Sequence, residues 1–342
     1  MNHRKDGATI YDIAHLAKVS PATVSRVLSN AAYPVSDGAR KRVLAAADRL
    51  HYASKGKPRP SEQDVVVMLP NLSNPFYVAL LSGLETSLRM FGFNTLLMNT
   101  KGDVQLERQL VNELSRRSSL KTIISPVCDD LRHLQPLLRS DAPLVVMELP
   151  SAGNRSTICI NYAHCGELMT QYFIERGMRR IAYLGAPLNR YSRIQTHLGY
   201  RKALEKHGIA YDEGLVFLSE DEPSAKDFIS PYHMGMRLFD RMAEACRTLP
   251  EAVFCGNDMT AIGVLHRLQE LGIRVPEEIS VAGFDNIFTA AVSSPPLTTV
   301  DQCIYEMGSM AAEILYGSIM DPTRRHVNTI LEPKLVIRET VR

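Results

Sequence analysis

Two groups of side chains in this 342-residue chain have the types and spacing for recognition chemistry. The first lies in Ser20-Pro21-Ala22-Thr23-Val24-Ser25-Arg26-Val27-Leu28. At helical spacing Val24, Val27 and Leu28 share one face, which leaves Ala22, Ser25 and Arg26 on the opposite, exposed one. A guanidinium presented this way can bond a guanine edge through two N–H groups, a serine hydroxyl can join it, and a methyl group suits a thymine methyl. The second group follows short apolar runs. Asn74, Phe76 and Tyr77 come after Val65–Leu69, Ser125 ends the run from Thr122, and Glu148 ends the run from Leu144. Arg190 and Ser192 follow Ile181–Leu184, Asn257 and Asp258 follow Ala252–Cys255, and Asp285 follows Ile279–Phe284. Aromatic rings stack on sugars or bases, and carboxylate, amide and guanidinium groups hold hydroxyls through paired bonds. This is binding chemistry. The chain carries no G-x-S-x-G, no phosphate-binding G-x-x-x-x-G-K, no H-E-x-x-H and no strand followed by G-x-G-x-x-G, and its ten histidines are scattered. No catalytic residue, metal ligand or cofactor is therefore expected.

The first group needs a helix to carry it. Ser20 suits an N-cap and Pro21 the first helical position. Ile10–Ala17 reads as a preceding helix capped by Thr9, with only Lys18-Val19-Ser20 between the two. Helices joined so tightly make a helix-turn-helix, which either places its second helix in the DNA major groove or is a plain helical hairpin with a solvated polar face. Ser36 should cap a third helix over Asp37–Leu50, with Val43, Leu44, Ala47 and Leu50 inward. Arg40-Lys41-Arg42 in its first turn are disfavoured by the helix dipole, which fits either nearby phosphates or a solvated charge run. Thr9, Tyr11, Thr23, Tyr33 and Ser36 are the further candidates for phosphate contacts, which position rather than specify. Residues 1–60 hold 11 Lys/Arg against 4 Asp/Glu, whereas the rest hold 28 against 33. A basic module on an acidic body predicts a polyanion partner at one end.

The second group needs sheets. From Val65 onward, short β-branched runs alternate with helical stretches of 10–15 residues, which predicts right-handed βαβ units and parallel sheets. A second such series starts at Ile158. Ligands of open α/β sheets bind outside the carboxyl ends of the strands. The expected organisation is a helical domain over residues 1–52 and a linker over 53–63. A two-lobed domain follows over 64–340, with lobe 1 at about 64–157 plus 288–320 and lobe 2 at about 158–287 plus 321–340. The linker holds two prolines and no large apolar residue.

Thr9-Ile10-Tyr11-Asp12-Ile13-Ala14, Val19-Ser20 and Ala22-Thr23-Val24-Ser25-Arg26-Val27-Leu28 resemble the DNA-binding domain of the lactose/galactose repressor (LacI/GalR) family. The likeness continues through Asn74-Pro75-Phe76-Tyr77, Val253-Phe254-Cys255-Gly256-Asn257-Asp258, Gly283-Phe284-Asp285-Asn286 and Pro296-Leu297-Thr298-Thr299. It implies a type I periplasmic-binding-protein fold with three chain crossings between the lobes. It also implies a homodimer on a pseudo-palindromic double-stranded DNA operator, and a small effector, a sugar or related metabolite, in the cleft. The positions of Phe76, Tyr77, Arg190, Ser192, Asn257, Asp285 and Gln302 line that pocket in the family. The chain departs from the family at Thr196, where many relatives have an arginine, with Arg193 as a possible substitute, and in its linker, which lacks the family's wedging leucine.

Six cysteines without a C-x-x-C pair read as reduced core thiols, and the start lacks the apolar core of a signal peptide. A cytoplasmic protein without a membrane span is expected. The alternative is a small-molecule binding protein with no DNA function.

Overall fold

A computed structural model describes residues 9–28, 35–50, 63–116, 120–220, 222 and 230–342. The chain divides into two compact units, residues 1–61 and 62–342. The linker expected over 53–63 and the phosphate contact expected at Tyr33 lie outside the described residues, apart from Gln63.

In the first unit, α1 (Ile10–Ala17) opens on a reciprocal cap. Thr9 Oγ1 accepts the Asp12 N–H, and the Asp12 carboxylate accepts the Thr9 N–H at 2.7 Å. Lys18 turns the chain with a left-handed backbone, φ 53°. Ser20 Oγ then accepts the Thr23 N–H at 3.1 Å to start α2 (Pro21–Leu28). These two helices and α3 (Asp37–Arg49) enclose Ile13, Ala17, Val24, Val27, Val43 and Ala46. Leu44, expected inside, is 50% exposed, and Ala46 takes the inward place. The sequence pattern leaves this choice open because α3 needs only a narrow apolar stripe. Arg42 does not stand clear for phosphate either: its Nε–H bonds the Ala17 carbonyl at 3.2 Å and ties α3 to the end of α1.

The second unit begins with β1 (Asp64–Leu69), α4 (Pro75–Met90), β2 (Asn94–Asn99), α5 (Val104–Ser115) and β3 (Lys121–Ile124). A 3-10 turn at Leu131–Leu134 leads into α6 (Gln135–Leu138), then β4 (Leu144–Met147) and β5 (Ser156–Ile160). The middle of the chain forms α7 (Tyr162–Glu175), β6 (Ile181–Gly185), α8 (Tyr191–Lys206), β7 (Val216–Leu218), α9 (Ser230–Ala245), β8 (Ala252–Cys255), α10 (Asp258–Glu270) and β9 (Ser280–Asp285). It ends with α11 (Phe288–Val292), β10 (Thr298–Asp301), α12 (Ile304–Met320), β11 (Asn328–Leu331) and β12 (Lys334–Val336). Among the described residues no helix is long and apolar enough to cross a membrane.

Two six-stranded sheets result, ordered β11-β5-β4-β3-β1-β2 and β12-β10-β9-β8-β6-β7. All pairs are parallel except β10–β12. The strand expected to open lobe 2 belongs to the first sheet, where Val146 pairs with Thr157. β10 belongs to the second sheet and β11 to the first. Lobe 1 thus ends near residue 160 and resumes at α12, not at 288. Sequence reading placed the break at 157 because residues 148–155 connect two parallel neighbours without a helix. The chain crosses between the sheets after β5, after β10 and between β11 and β12. These crossings meet at Glu332. Its carboxylate accepts from Asn161 Nδ2 at 3.1 Å and pairs with His164 at 2.7 Å, and its carbonyl accepts the Cys303 thiol.

Helix pairs in both lobes pack at glycines. In lobe 2, a Cβ on Gly199 would run into the Ala163 carbonyl, and one on Gly166 into that of Thr196. In lobe 1, Gly83 and Gly308 do the same for α4 and α12. The backbones approach so closely that no side chain fits. Gly199→Ala is expected to destabilise the protein by roughly 2–3 kcal/mol, read as a lowered urea midpoint. A near-neutral effect would show that α7 and α8 separate freely.

Candidate ligand cleft and nucleic-acid interface

The carboxyl ends of β1, β4, β6, β8 and β9 converge on one cleft. Phe76, Tyr77, Glu148, Ser192, Asn257, Asp285 and Gln302, all singled out from sequence, line it. Phe76 and Tyr77 start α4, where the Asn74 side chain accepts the Phe76 N–H at 3.0 Å, and their rings pack edge to face. The Tyr77 hydroxyl donates to Glu148 at 3.1 Å, and the Ser125 hydroxyl donates to the same carboxylate. Ser125 is fully buried and so holds Glu148 rather than facing the cleft itself. Burial, with the Glu148 charge beside it, pushes the Tyr77 hydroxyl well above its ordinary pKa, so it stays a donor.

Both cleft carboxylates sit on strained backbone: Glu148 has φ 64° and Asp285 φ 131°. Such strain persists only where surrounding bonds fix it, and it gathers at functional sites. Asp285 is fixed by Gln302 Nε2, which donates to it at 2.5 Å. Behind it lies Asp258, the first residue of α10; the cap of that helix is Asn257, which accepts the Thr260 N–H at 2.8 Å. Asp258 instead accepts the Ile287 N–H at 2.9 Å and the Thr299 hydroxyl at 2.6 Å. Its carboxylate fills the space beside Gly283, where a Cβ would collide with it. That is the reason for glycine in Gly283-Phe284-Asp285-Asn286. Burial raises the pKa of both Asp258 and Asp285, and for Asp285 the neighbouring Asp258 charge adds to it.

Arg190 was expected on the cleft wall. It reaches across to lobe 1 instead. Its Nε–H bonds Asp129 at 3.0 Å, and its other N–H groups bond the carbonyls of Pro126 at 3.0 Å and Val127. The Tyr191 N–H donates to the same Asp129. Buried Glu107 sets this loop by accepting the Val127 N–H at 3.1 Å and pairing with His133 at 2.5 Å. The competition that decided Arg190 is simple. Its guanidinium satisfies three acceptors on the 126–129 loop at once, and a sequence reading cannot see that loop arrive.

Sequence reading passed over Tyr162, Tyr183 and Phe284, which also line the cleft. Tyr162 follows β5 directly, so the strand-end rule would have found it had β5 been assigned to the first sheet. Thr196 and Arg193 lie on the wall as well, but Arg193 is held by both oxygens of Glu222, at 2.8 and 2.9 Å.

In the helical unit, Ala22, Ser25 and Arg26 are exposed on α2 opposite buried Val24 and Val27, as the spacing predicts. Thr9 is occupied in the α1 cap, and Tyr11 is 73% exposed. The Thr23 hydroxyl lies 2.9 Å from that of Ser20, and Ser36 starts α3.

Two measurements follow from this geometry. Removing the Arg190 tie by Asp129→Asn is expected to loosen the lobes: amide exchange at Tyr191 accelerates and the radius of gyration by X-ray scattering grows. No change in either would mean the lobes are held elsewhere. Asp258 binds its proton more tightly folded than unfolded, so the folded state gains from this group as pH falls and loses as pH rises. Relative to Asp258→Asn, the natural chain should become more stable in urea as pH is lowered from about 8 to about 5. The opposite slope would contradict the burial argument.

A family profile for bacterial regulatory proteins of the lacI family matches residues 9–55, and one for a periplasmic binding protein-like domain matches residues 170–341. The HTH-type transcriptional repressor PurR of Vibrio atlanticus (strain LGP32) is 32% identical, over 98% of this chain and 99% of its own length. Among solved structures, the complex of transcriptional regulator CelR with cellobiose is similar with TM-score 0.72 at 27% identity, covering 97% of this chain and 99% of that one. The regulator GntR from Chromobacterium violaceum is similar with TM-score 0.72 at 30% identity, covering 81% and 98%. With an exposed recognition helix, a two-lobed cleft and full-length likeness to such repressors, the chain belongs to the LacI family of DNA-binding transcriptional regulators.

Proposed function

We propose that this regulator is a cytoplasmic homodimer that represses from a pseudo-palindromic operator, and that it responds to a sugar or related metabolite held between its lobes. The observation that carries the effector reading is the convergence of Phe76, Tyr77, Glu148, Asp285 and Gln302 from both lobes onto one cleft. Rings for stacking beside carboxylates and amides are what a hydroxyl-rich ligand needs. The similar CelR structure was solved with cellobiose. The cleft binds its ligand rather than transforming it: its polar groups form hydrogen-bonded holding sets, not a nucleophile with a base.

For DNA, Arg26 reads a base edge with Ser25 beside it, and Ala22 meets a thymine methyl. Pro21 offers no donor, so few bases are read by hydrogen bonds. Ser20 sets the start of the helix, and Thr9, Tyr11, Thr23 and Ser36 meet phosphates. Support for a dimer comes from the second unit, where α11 leaves Phe288 79% and Val292 62% exposed. Adjacent apolar groups on one short helix fit a self-complementary contact. Effector acts by binding one arrangement of the lobes better than the other.

A gel-shift titration of the full chain on its own promoter DNA tests the reading. Arg26→Ala is expected to weaken binding at least about tenfold, in line with about 1–3 kcal/mol for a bidentate base contact. Added salt should lower affinity steeply. A full chain that binds ligand yet retards no promoter DNA would favour the alternative of a binding protein without DNA function.

A further inference from the structure

Off the cleft wall, one buried pair of side chains faces more acceptors than its protons can serve. Glu107 of α5 is fully buried, and His133, in the 3-10 turn before α6, nearly so. The imidazole Nε2 lies 2.5 Å from the Glu107 carboxylate, and Nδ1 lies 2.9 Å from the Asp130 carbonyl. A carbonyl only accepts, an ionised carboxylate only accepts, and a neutral imidazole carries a single N–H. Both bonds together need one proton more than a neutral ring and an ionised carboxylate hold. That proton sits on the ring or on Glu107, shared between them.

The pair matters for what it holds. Glu107 also accepts the Val127 N–H at 3.1 Å, while His133 holds the Asp130 carbonyl. The two side chains thus anchor both ends of the 127–130 loop. Between those ends, Asp129 of lobe 1 accepts Arg190 Nε–H of lobe 2 at 3.0 Å and the Tyr191 N–H. The Pro126 and Val127 carbonyls take the other guanidinium N–H groups.

We propose that Glu107 and His133 are positioning residues of a proton-operated latch between the lobes. With the shared proton in place, the loop is fixed at both ends and Arg190 ties the lobes. Without it, the ring must let go of either Glu107 or the Asp130 carbonyl. One end of the loop then comes free, and Arg190 loses acceptors held in register. The charged and titratable groups around the pair are Cys128, Asp129 and Asp130 of the loop, Arg132 beside His133, and Arg190 from the start of α8. Hydrogen bonds from Arg132 hold Asp130 down at about 2, and burial pushes the Cys128 thiol up, so neither changes charge near neutrality. Burial raises Glu107, against the pull of His133. A group raised in the folded state contributes fully at low pH, and its contribution is lost as pH rises through the folded value. The latch is therefore closed on the acid side and opens on the alkaline side.

The test is hydrogen exchange of the full chain, read as protection of the Val127 and Tyr191 amides after correction for intrinsic rates, from about pH 6 to about pH 9. Protection at both is expected to fall at least about tenfold across that range, the equivalent of one pKa unit, while the amides of β3 and β4 keep theirs. Glu107→Gln retains an acceptor for Val127 and supplies an N–H to the ring, so a neutral His133 then serves both partners. In that variant, protection at Tyr191 should stay flat across the range. A flat profile in the natural chain would overturn the latch, as would a fall shared by β3 and β4, which is global unfolding. The same fall in Glu107→Gln would overturn it too. If Glu107→Gln does not fold, the natural chain's profile, read against its own β3 and β4 amides, decides alone.

Discussion

Three chain crossings are all that join the two sheets covalently, and the rest of the second unit follows from that constraint. Each sheet buries apolar layers on its faces, and one of them runs from β5 of the first sheet into the second lobe. The carboxyl ends of the strands are then left to form a cleft whose walls come from both lobes. Glu332 draws the crossings together through Asn161, His164 and Cys303. The Arg190–Asp129 bond is a further tie, made by side chains alone. Few covalent joins are compatible with a change in the angle between the lobes, which is what a ligand-driven shift requires.

The buried acids show how the site is bought with stability. Asp258 organises the end of β9: it receives Ile287 and Thr299, and its bulk requires glycine at 283. Asp285, next along, is held in a conformation few residues adopt, with a second carboxylate nearby. Neither arrangement favours folding. Asp285 fixes acceptor atoms on the cleft wall, Asp258 fixes the strand end behind it, and the acids stay in place because Gln302, Thr299 and backbone N–H groups surround them. Rigid placement of polar atoms in a dry wall is the source of selectivity in such sites.

The helical unit solves a simpler problem. Its core is so small that caps carry much of the burden: the Thr9–Asp12 exchange, the Ser20 cap and the Arg42 bond to Ala17 fix three short helices. With Val24 and Val27 inward, geometry leaves Ala22, Ser25 and Arg26 outward. The exposed face of α2 is thus a by-product of the face that must be buried.

Much of this was legible in the sequence. Periodicity gave α2 its two faces, cap chemistry placed the starts of α1 and α2, and β-branched runs marked most strands. These are local effects, decided by neighbours within a few residues. What the sequence could not decide depended on segments far apart in the chain. Sheet membership of β5, β10 and β11 depends on which edges pair, and it moved Tyr162 into the site. Arg190 left the wall because the 126–129 loop offered it several acceptors together. Asn257 rather than Asp258 capped α10 because Asp258 had partners some thirty and forty residues onward. Local propensity names the groups capable of binding; long-range pairing assigns each group its partner, since a charge or a hydrogen-bonding atom goes to whichever complement the folded chain brings within reach.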